Sequence, residues 1–307
     1  MDSWRQHRSA FWAAFTAPTF WLVVFFLVPL SLLWLFSFGE KEGITGIDIT
    51  WTLKQYARAL DPLYLGIFAK SLWMAFLTTL LCLIIAFPVA IAIVFAPPKA
   101  RLWLLLLIIL PFWTNLLIRT YALIAVLRTR GQVNFGLEWM WEHANSFLTL
   151  IGLGSYNLLG ADFEPLGMLY NNSAVLIGLV YVHLPFMVLP LYAALDRLDR
   201  SYMEASFDLG AGHVRTFRSI IIPLALPGIA SGIVITFIPA MGSYLTPDLL
   251  GGTDSQMIAN VIERQFKSAN DWPFGAALSF ILMYVTFFGL ALRAVLSKRE
   301  KMGGKAA

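Results

Sequence analysis

Residues 196–223, DRLDRSYMEASFDLGAGHVRTFRSIIIP, form a polar, patterned segment between two long apolar runs. The segment is too charged for a lipid interior and too regular in its spacing for a plain connector. Ser201-Tyr202-Met203-Glu204 has the S-x-x-E spacing of a capping box, in which the Ser hydroxyl accepts the backbone N–H three residues on and the Glu reciprocates. That spacing predicts a helix starting at Ser201. Gly210 and Gly212 tolerate positive φ where a short helix ends, and residues 214–222 can form a second helix before Pro223 opens the next apolar run. The expectation is a helix, a glycine turn and another helix, acting as a docking element at a membrane surface.

The runs that flank this segment belong to a set of six, at residues 18–38, 71–95, 102–127, 173–195, 224–245 and 276–296. Each is about as long as the roughly 20 apolar residues that a bilayer core requires, and none carries an Asp, Glu, Lys or Arg near its centre. The third is interrupted by Pro111, Asn115 and Arg119, so its existence is better defined than its far end. With 59% hydrophobic and 13% charged residues, the chain lacks the polar surface to cover a water-soluble body of 307 residues. The first run lacks a small-residue cleavage site and continues through Trp34, Leu35 and Phe36, which reads as a retained span rather than a signal peptide. The expected organisation is an N-terminal segment (1–17), a six-span domain (18–296) holding the loop 196–222, and a basic tail (297–307).

Orientation follows from Lys and Arg, which translocated loops avoid. With both termini on the side of the 196–222 loop, that side holds 13 of the 22 Lys and Arg, whereas 12 of the 18 Asp and Glu lie opposite. Both termini are therefore expected in the cytoplasm, and the basic balance is a topology signal rather than a nucleic-acid footprint. Cys82 reads as a small apolar filler within the second run, and His7, His143, His183 and His213 are too scattered for a metal-ligand cluster. No G-x-x-x-x-G-K-[ST] is present, so nucleotide phosphate would have to be held by a partner. A secondary transporter would be expected to place Asp, Glu or Lys near mid-membrane for proton or sodium coupling, and these runs place none there.

Glu204-Ala205-Ser206, three residues, Gly210, nine residues and Ile220-Ile221-Ile222-Pro223 resemble the E-A-A-x3-G-x9-I-x-L-P signature of bacterial ABC importer permeases, with Ser206 for Ala and Ile222 for Leu. The likeness extends to Pro111-Phe112-Trp113-Thr114-Asn115 with Ile118-Arg119, to Gly178-Leu179-Val180-Tyr181 with Leu184-Pro185-Phe186-Met187, and to Asp271-Trp272-Pro273-Phe274-Gly275. Across residues 53–292 these motifs look like the spermidine and putrescine importer permeases, although importers for other small organic solutes share much of the pattern. The resemblance implies an all-α integral membrane protein with six transmembrane helices, the type I ABC importer permease fold and a cytoplasmic coupling helix. It further implies an inner-membrane location, a second permease subunit, two ATPase subunits that bind ATP and Mg, and a periplasmic binding protein that delivers substrate. It assigns no cofactor and no catalytic site to this chain, and membrane lipid is its solvent. The coupling residues it implies are Ser201, Glu204, Ala205, Ser206, Asp208, Gly210, Gly212 and Pro223.

A polycation crossing such spans needs water or groups that replace water, because a bare ammonium at mid-membrane is costly. The candidates are the aromatic faces of Trp113, Tyr121, Tyr181, Phe186 and Tyr244, with Asn115, Asp248 and carbonyls near Pro111, Pro185 and Pro239. The long segment 127–172 holds Glu138, Trp139, Trp141, Glu142, Asp162 and Glu164 and is expected to be part helix at the outer mouth, in contact with the binding protein.

Overall fold

The structure is a computed structural model that describes residues 8–43, 46–150, 162–199 and 201–303, with side chains over 12–43, 46–150, 162–199 and 201–291. Residues 1–7 of the N-terminal segment, 151–161 of the long connection, Arg200, and 304–307 of the basic tail lie outside the described residues. Helices dominate. Helix α1 runs as Arg8–Leu22, widens through a π-helical turn at Val23–Leu27 and continues as Val28–Phe36. Strands β1 (Glu40–Glu42) and β2 (Gly46–Asp48) pair antiparallel, followed by α2 (Lys54–Ala59), α3 (Pro62–Phe95), α4 (Pro98–Ile109), α5 (Leu116–Leu127) and α6 (Gln132–Leu150). Then come α7 (Asn172–Leu195), α8 (Ser201–Asp208), α9 (His213–Met241), α10 (Leu245–Leu250), α11 (Ile258–Lys267) and α12 (Trp272–Gly303).

Five of these helices are long and apolar enough to cross a membrane: Trp12–Phe36, Pro62–Phe95, Asn172–Leu195, His213–Met241 and Trp272–Ala291. The third run does not form one straight span. A 3-10 turn at Leu110–Trp113 ends α4, Thr114 is extended, and the helix that resumes at Leu116 is turned by 100°. The break follows from local chemistry: Pro111 lacks an N–H, and the Asn115 side chain accepts the Leu117 N–H at 2.8 Å, starting a new helix instead of prolonging the old one. Counted as one bent span, the pair brings the total to six.

The second helix of the 196–223 segment also differs from expectation. It does not stop before Pro223 but joins the fifth span as the single helix α9, through a π-helical turn at Phe217–Ile221. A proline ring clashes with the carbonyl four residues back, here Ser219, and that carbonyl lies within the wide turn. The same device recurs in α1, where Pro29 follows the π turn that contains Phe25.

The chain forms two compact units, one of residues 1–66 and 261–307 and one of residues 67–260. In the first, Arg58 pairs with Asp271 at 2.7 Å and lies 3.9 Å over the Phe274 ring, against which Tyr64 packs edge-on. Lys41 of β1 donates to the Ala269 carbonyl at 2.6 Å. In the second unit, α7 and α9 approach closely because α9 offers glycines four residues apart. A Cβ on Gly228 would strike the Ala194 Cβ and the Pro190 carbonyl, and one on Gly232 would meet the Met187 sulfur at 2.6 Å. Such small-residue spacing lets membrane helices approach to backbone contact. Cys82, Ala86, Ala90 and Ile93 of α3 complete this core with Met187, Val188, Leu191 and Ala225, so Cys82 sits among apolar neighbours as expected.

Candidate functional site: the loop between α7 and α9

Helix α8 begins at Ser201 as its spacing requires, but the capping side chain stands two residues earlier than the S-x-x-E pattern places it. Asp199 accepts the Ser201 backbone N–H at 3.0 Å. That bond first, and the Ser201 side chain second, hold the Asp199 carboxyl below the usual carboxylate range. Ser201 therefore donates at the helix start, and Asp199 is the capping residue that the capping-box reading missed. An Asx turn, Asp199-x-Ser201, was the available signal.

The end of α8 is closed by its glycine. Gly210 has φ of +78°, its N–H donates to the Phe207 carbonyl at 2.9 Å, and the Ala211 N–H donates to the Ser206 carbonyl at 3.0 Å. This 5→2 and 6→1 pair is a Schellman motif, which needs a left-handed residue where Gly210 stands. Gly212 does not share that role, because it has φ of −74° and is the extended N-cap of α9. The two helices are then pinned together. The buried Ser206 and Thr216 hydroxyls are hydrogen-bonded at 2.8 Å, and Phe207 meets the His213 ring edge-on at 5.1 Å. Ser206, one of the two departures from the family signature, is thus the residue that crosslinks the loop.

What the loop leaves exposed is apolar. Leu209 is 88% and Val214 72% accessible, with Tyr202 and Phe207 also exposed, while Glu204, Asp208 and Arg215 ring them with charge. A groove of about 340 Å³ runs between Tyr202, Ala205, Leu209, Ala211, Arg215 and Ile220. Exposed large apolar side chains rimmed by charge mark an interaction surface. At the root of the loop Arg101 pairs with Asp196 at 2.7 Å and donates to the Val94 carbonyl at 2.7 Å, tying α4 to the ends of α7 and α3.

The proposed path residues are not joined to one another by a described contact, and those that have partners meet other residues. Phe186 meets Phe112 edge-on at 4.8 Å, and the His183 ring is 6.1 Å from Phe186. Trp113 stands 82% exposed at the corner of the third run, while Tyr121, Tyr181 and Tyr244 are also exposed, with no ring contact joining these four among the described residues. Asn115 is engaged as the α5 cap. Tyr244 sits at the α9–α10 corner, where its carbonyl accepts from Asn260 at 2.7 Å, and Asp248 is exposed in the first turn of α10.

The long segment 127–172 is part helix, as its composition suggested. Helix α6 exposes Glu138, Trp139 and Glu142, and Trp141 packs near Phe163. Buried Asn134 staples the segment: its amide donates to the Thr129 and Leu166 carbonyls at 3.1 and 3.0 Å, and its oxygen accepts the Leu166 N–H at 2.9 Å.

Known proteins resemble this chain in sequence and in fold. The model of the family described as "Binding-protein-dependent transport system inner membrane component" matches residues 63–302. The chain is 42% identical over 265 residues to the "Spermidine/putrescine transport system permease protein PotB" of Escherichia coli K12, covering 86% of this chain and 90% of that one. It is 38% identical over 271 residues to the protein of the same name from Haemophilus influenzae, covering 87% and 88%. Among solved structures it is similar in fold to a bacterial ABC transporter that imports alginate, with a TM-score of 0.70 at 15% identity over 96% of this chain and 98% of that one. The MetNI methionine ABC transporter in inward-facing form matches with a TM-score of 0.52 at 16% identity, over 78% and 98%.

Proposed function

We propose, from the premise that the chain belongs to the family of binding-protein-dependent transport system inner membrane components and is an ABC importer permease, that its cargo is a polyamine such as spermidine or putrescine. The names of its relatives at 38% and 42% identity support that cargo. The observation that carries the mechanism is the loop between α7 and α9, a pinned two-helix unit whose large exposed apolar side chains sit between charges. In this reading the loop faces the cytoplasm with both termini and docks on one of two ATPase subunits, which hold the ATP and Mg. A second permease subunit completes the passage, and a periplasmic binding protein delivers the substrate to the opposite face, where α6 and α10 present their carboxylates.

Glu204, Leu209 and Val214 supply the contact, Gly210 and Ser206 hold its shape, and α9 carries the displacement into the membrane. A polyamine meets Asp248 first. It then passes aromatic faces that attract ammonium groups weakly, since each such contact contributes about 0.5–2 kcal/mol depending on desolvation. Weak holding favours delivery over retention. The test is uptake of radiolabelled spermidine and putrescine by the complex reconstituted in liposomes with ATP inside and binding protein outside. Wild-type uptake with reduced affinity in Asp248→Asn and Tyr244→Ala is the expected result. ATPase stimulation by loaded binding protein without uptake of either amine would reassign the cargo to another small organic solute.

A further inference from the structure

Trp51, between β2 and α2, is held in a backbone conformation that bulky residues avoid. Its φ is +52°, in the left-handed region, and its side chain is exposed. The Thr52 N–H donates to the Phe38 carbonyl at 3.0 Å, and the buried Gln55 amide donates to the Gly39 carbonyl at 3.3 Å, so the segment is tied back to the end of α1. Strained residues persist where their surroundings over-determine them, and they cluster at functional sites. The Trp51 ring is the last of a chain of rings: it lies 6.0 Å from Phe38, and Phe38 lies 4.9 Å from Trp34 and 5.5 Å from Tyr56. Ile49 and Leu53, two residues to either side, are exposed as well. No hydrogen bond engages the Trp51 indole N–H among the described residues.

The place of these rings sets their depth. Residues 12–36 form a membrane span, and between Val23 and Phe36 the protein buries no side chain, so the helix presents lipid-facing surface up to its end. Trp34 stands in its last turn, and Phe38 lies two residues past Phe36, within one helical turn of about 5.4 Å. Trp51, packed on Phe38, therefore sits where acyl chains give way to headgroups. That level favours Trp, whose ring is apolar and whose N–H takes a polar partner. We infer that residues 49–53 are an interfacial anchor, in which Ile49, Trp51 and Leu53 insert at the headgroup–acyl boundary of the leaflet that α1 reaches at Phe36. The anchor continues the lipid-facing side of a span, which distinguishes it from a docking face. A protein partner seated above the bilayer would have to reach down to the last turn of α1 to cover it. Through the bonds to Phe38 and Gly39, the anchor also sets the height of α2 over the membrane. The inference needs α1 to span the membrane but does not depend on the cargo; in the reading above the leaflet is the periplasmic one.

The experiment uses the whole importer in phospholipid nanodiscs, with Cys82→Ala and a single spin label carried by Trp51→Cys or by Leu53→Cys. Collision of each label with oxygen, which concentrates in lipid, is compared with collision with a water-soluble nickel chelate. Exposed Phe25 of the span, as Phe25→Cys, is the lipid reference, and exposed Glu42 of β1, as Glu42→Cys, is the water reference. Labels at positions 51 and 53 should fall between the two references, on the lipid side. Adding Trp51→Asn to the Leu53→Cys chain should abolish that label's preference for oxygen, because Asn suits the left-handed backbone but brings a polar group to the boundary. Labels as open to the chelate as the Glu42→Cys label overturn the anchor, as does a Leu53→Cys label that Trp51→Asn leaves unmoved. Shielding from both reagents also overturns it and assigns the surface to a protein, the second permease if the bare importer shows it and the binding protein if only its addition does. A Phe25→Cys label open to the chelate is a different failure, because it removes the spanning helix itself.

Discussion

Replacing Gly210 by Val tests the docking loop without touching its contact face. A Cβ at Gly210 meets nothing within 4 Å, so the substitution creates no clash and its whole cost is conformational. With φ at +78°, an L-residue there forfeits about 1–2 kcal/mol, and a β-branched one belongs at the upper end of that range. If that energy falls on the α8–α9 turn alone, the ordered loop loses about 5- to 30-fold in population relative to its opened forms. Asn tolerates the left-handed region and should lose far less. The assay is ATP hydrolysis by the reconstituted importer, with and without loaded binding protein, in wild type, Gly210→Asn and Gly210→Val. Stimulation should fall in the order wild type, Asn, Val, while basal hydrolysis and recovery of the assembled complex change little. Equal defects in Asn and Val would show that the left-handed turn is not what matters, and full stimulation in Val would refute the docking role of the turn.

Three further outcomes follow from bonds and contacts described above. Ser206→Ala leaves the buried Thr216 hydroxyl without its partner and should destabilise the loop by about 1–3 kcal/mol, whereas adding Thr216→Val should recover part of that loss, as read by hydrogen exchange across residues 201–216. Gly228→Ala drives a methyl into Ala194 and the Pro190 backbone, which cannot withdraw, so thermal unfolding in detergent should register overpacking of about 1–3 kcal/mol; Gly232→Ala meets only the mobile Met187 sulfur and should cost less. Because the Asp199 carboxyl is held below its ordinary range, its contribution is complete above that range and is lost as pH falls through the lowered value. Amide exchange at the start of α8 should therefore accelerate on acidification, and Asp199→Asn should flatten that pH dependence.

The apolar runs were legible because span length is a one-dimensional constraint that the bilayer imposes on sequence. The loop was legible in outline because Gly210 and the start at Ser201 are local signals. What escaped was set by groups distant in sequence or by continuity between elements. Pro111 and Asn115 announced an interruption in the third run, yet neither residue type carries an angle, and the 100° turn was not legible from them. Ser206 read as a tolerated departure from a family pattern, and only the position of Thr216 ten residues on gives its hydroxyl a purpose. Pro223 read as a boundary because a proline usually starts a helix, but the π turn before it let one helix run through. The paired strands β1 and β2 carried no alternation long enough to recognise, and Lys41 is anchored by a carbonyl more than two hundred residues away.

The π turn in α9 also divides that helix unequally. Four residues of α9 precede the turn and twenty follow it, or about 6 Å and 30 Å at 1.5 Å per residue. Were the centre of the wide turn to serve as a pivot, the arms would be about 10 Å and 34 Å, a ratio of about one to three and a half. A displacement of about 1 Å at His213 would then become about 3.5 Å at Met241, with force reduced in the same proportion. Such gearing suits a machine whose motor makes a short, strong stroke and whose far gate must swing widely against little resistance.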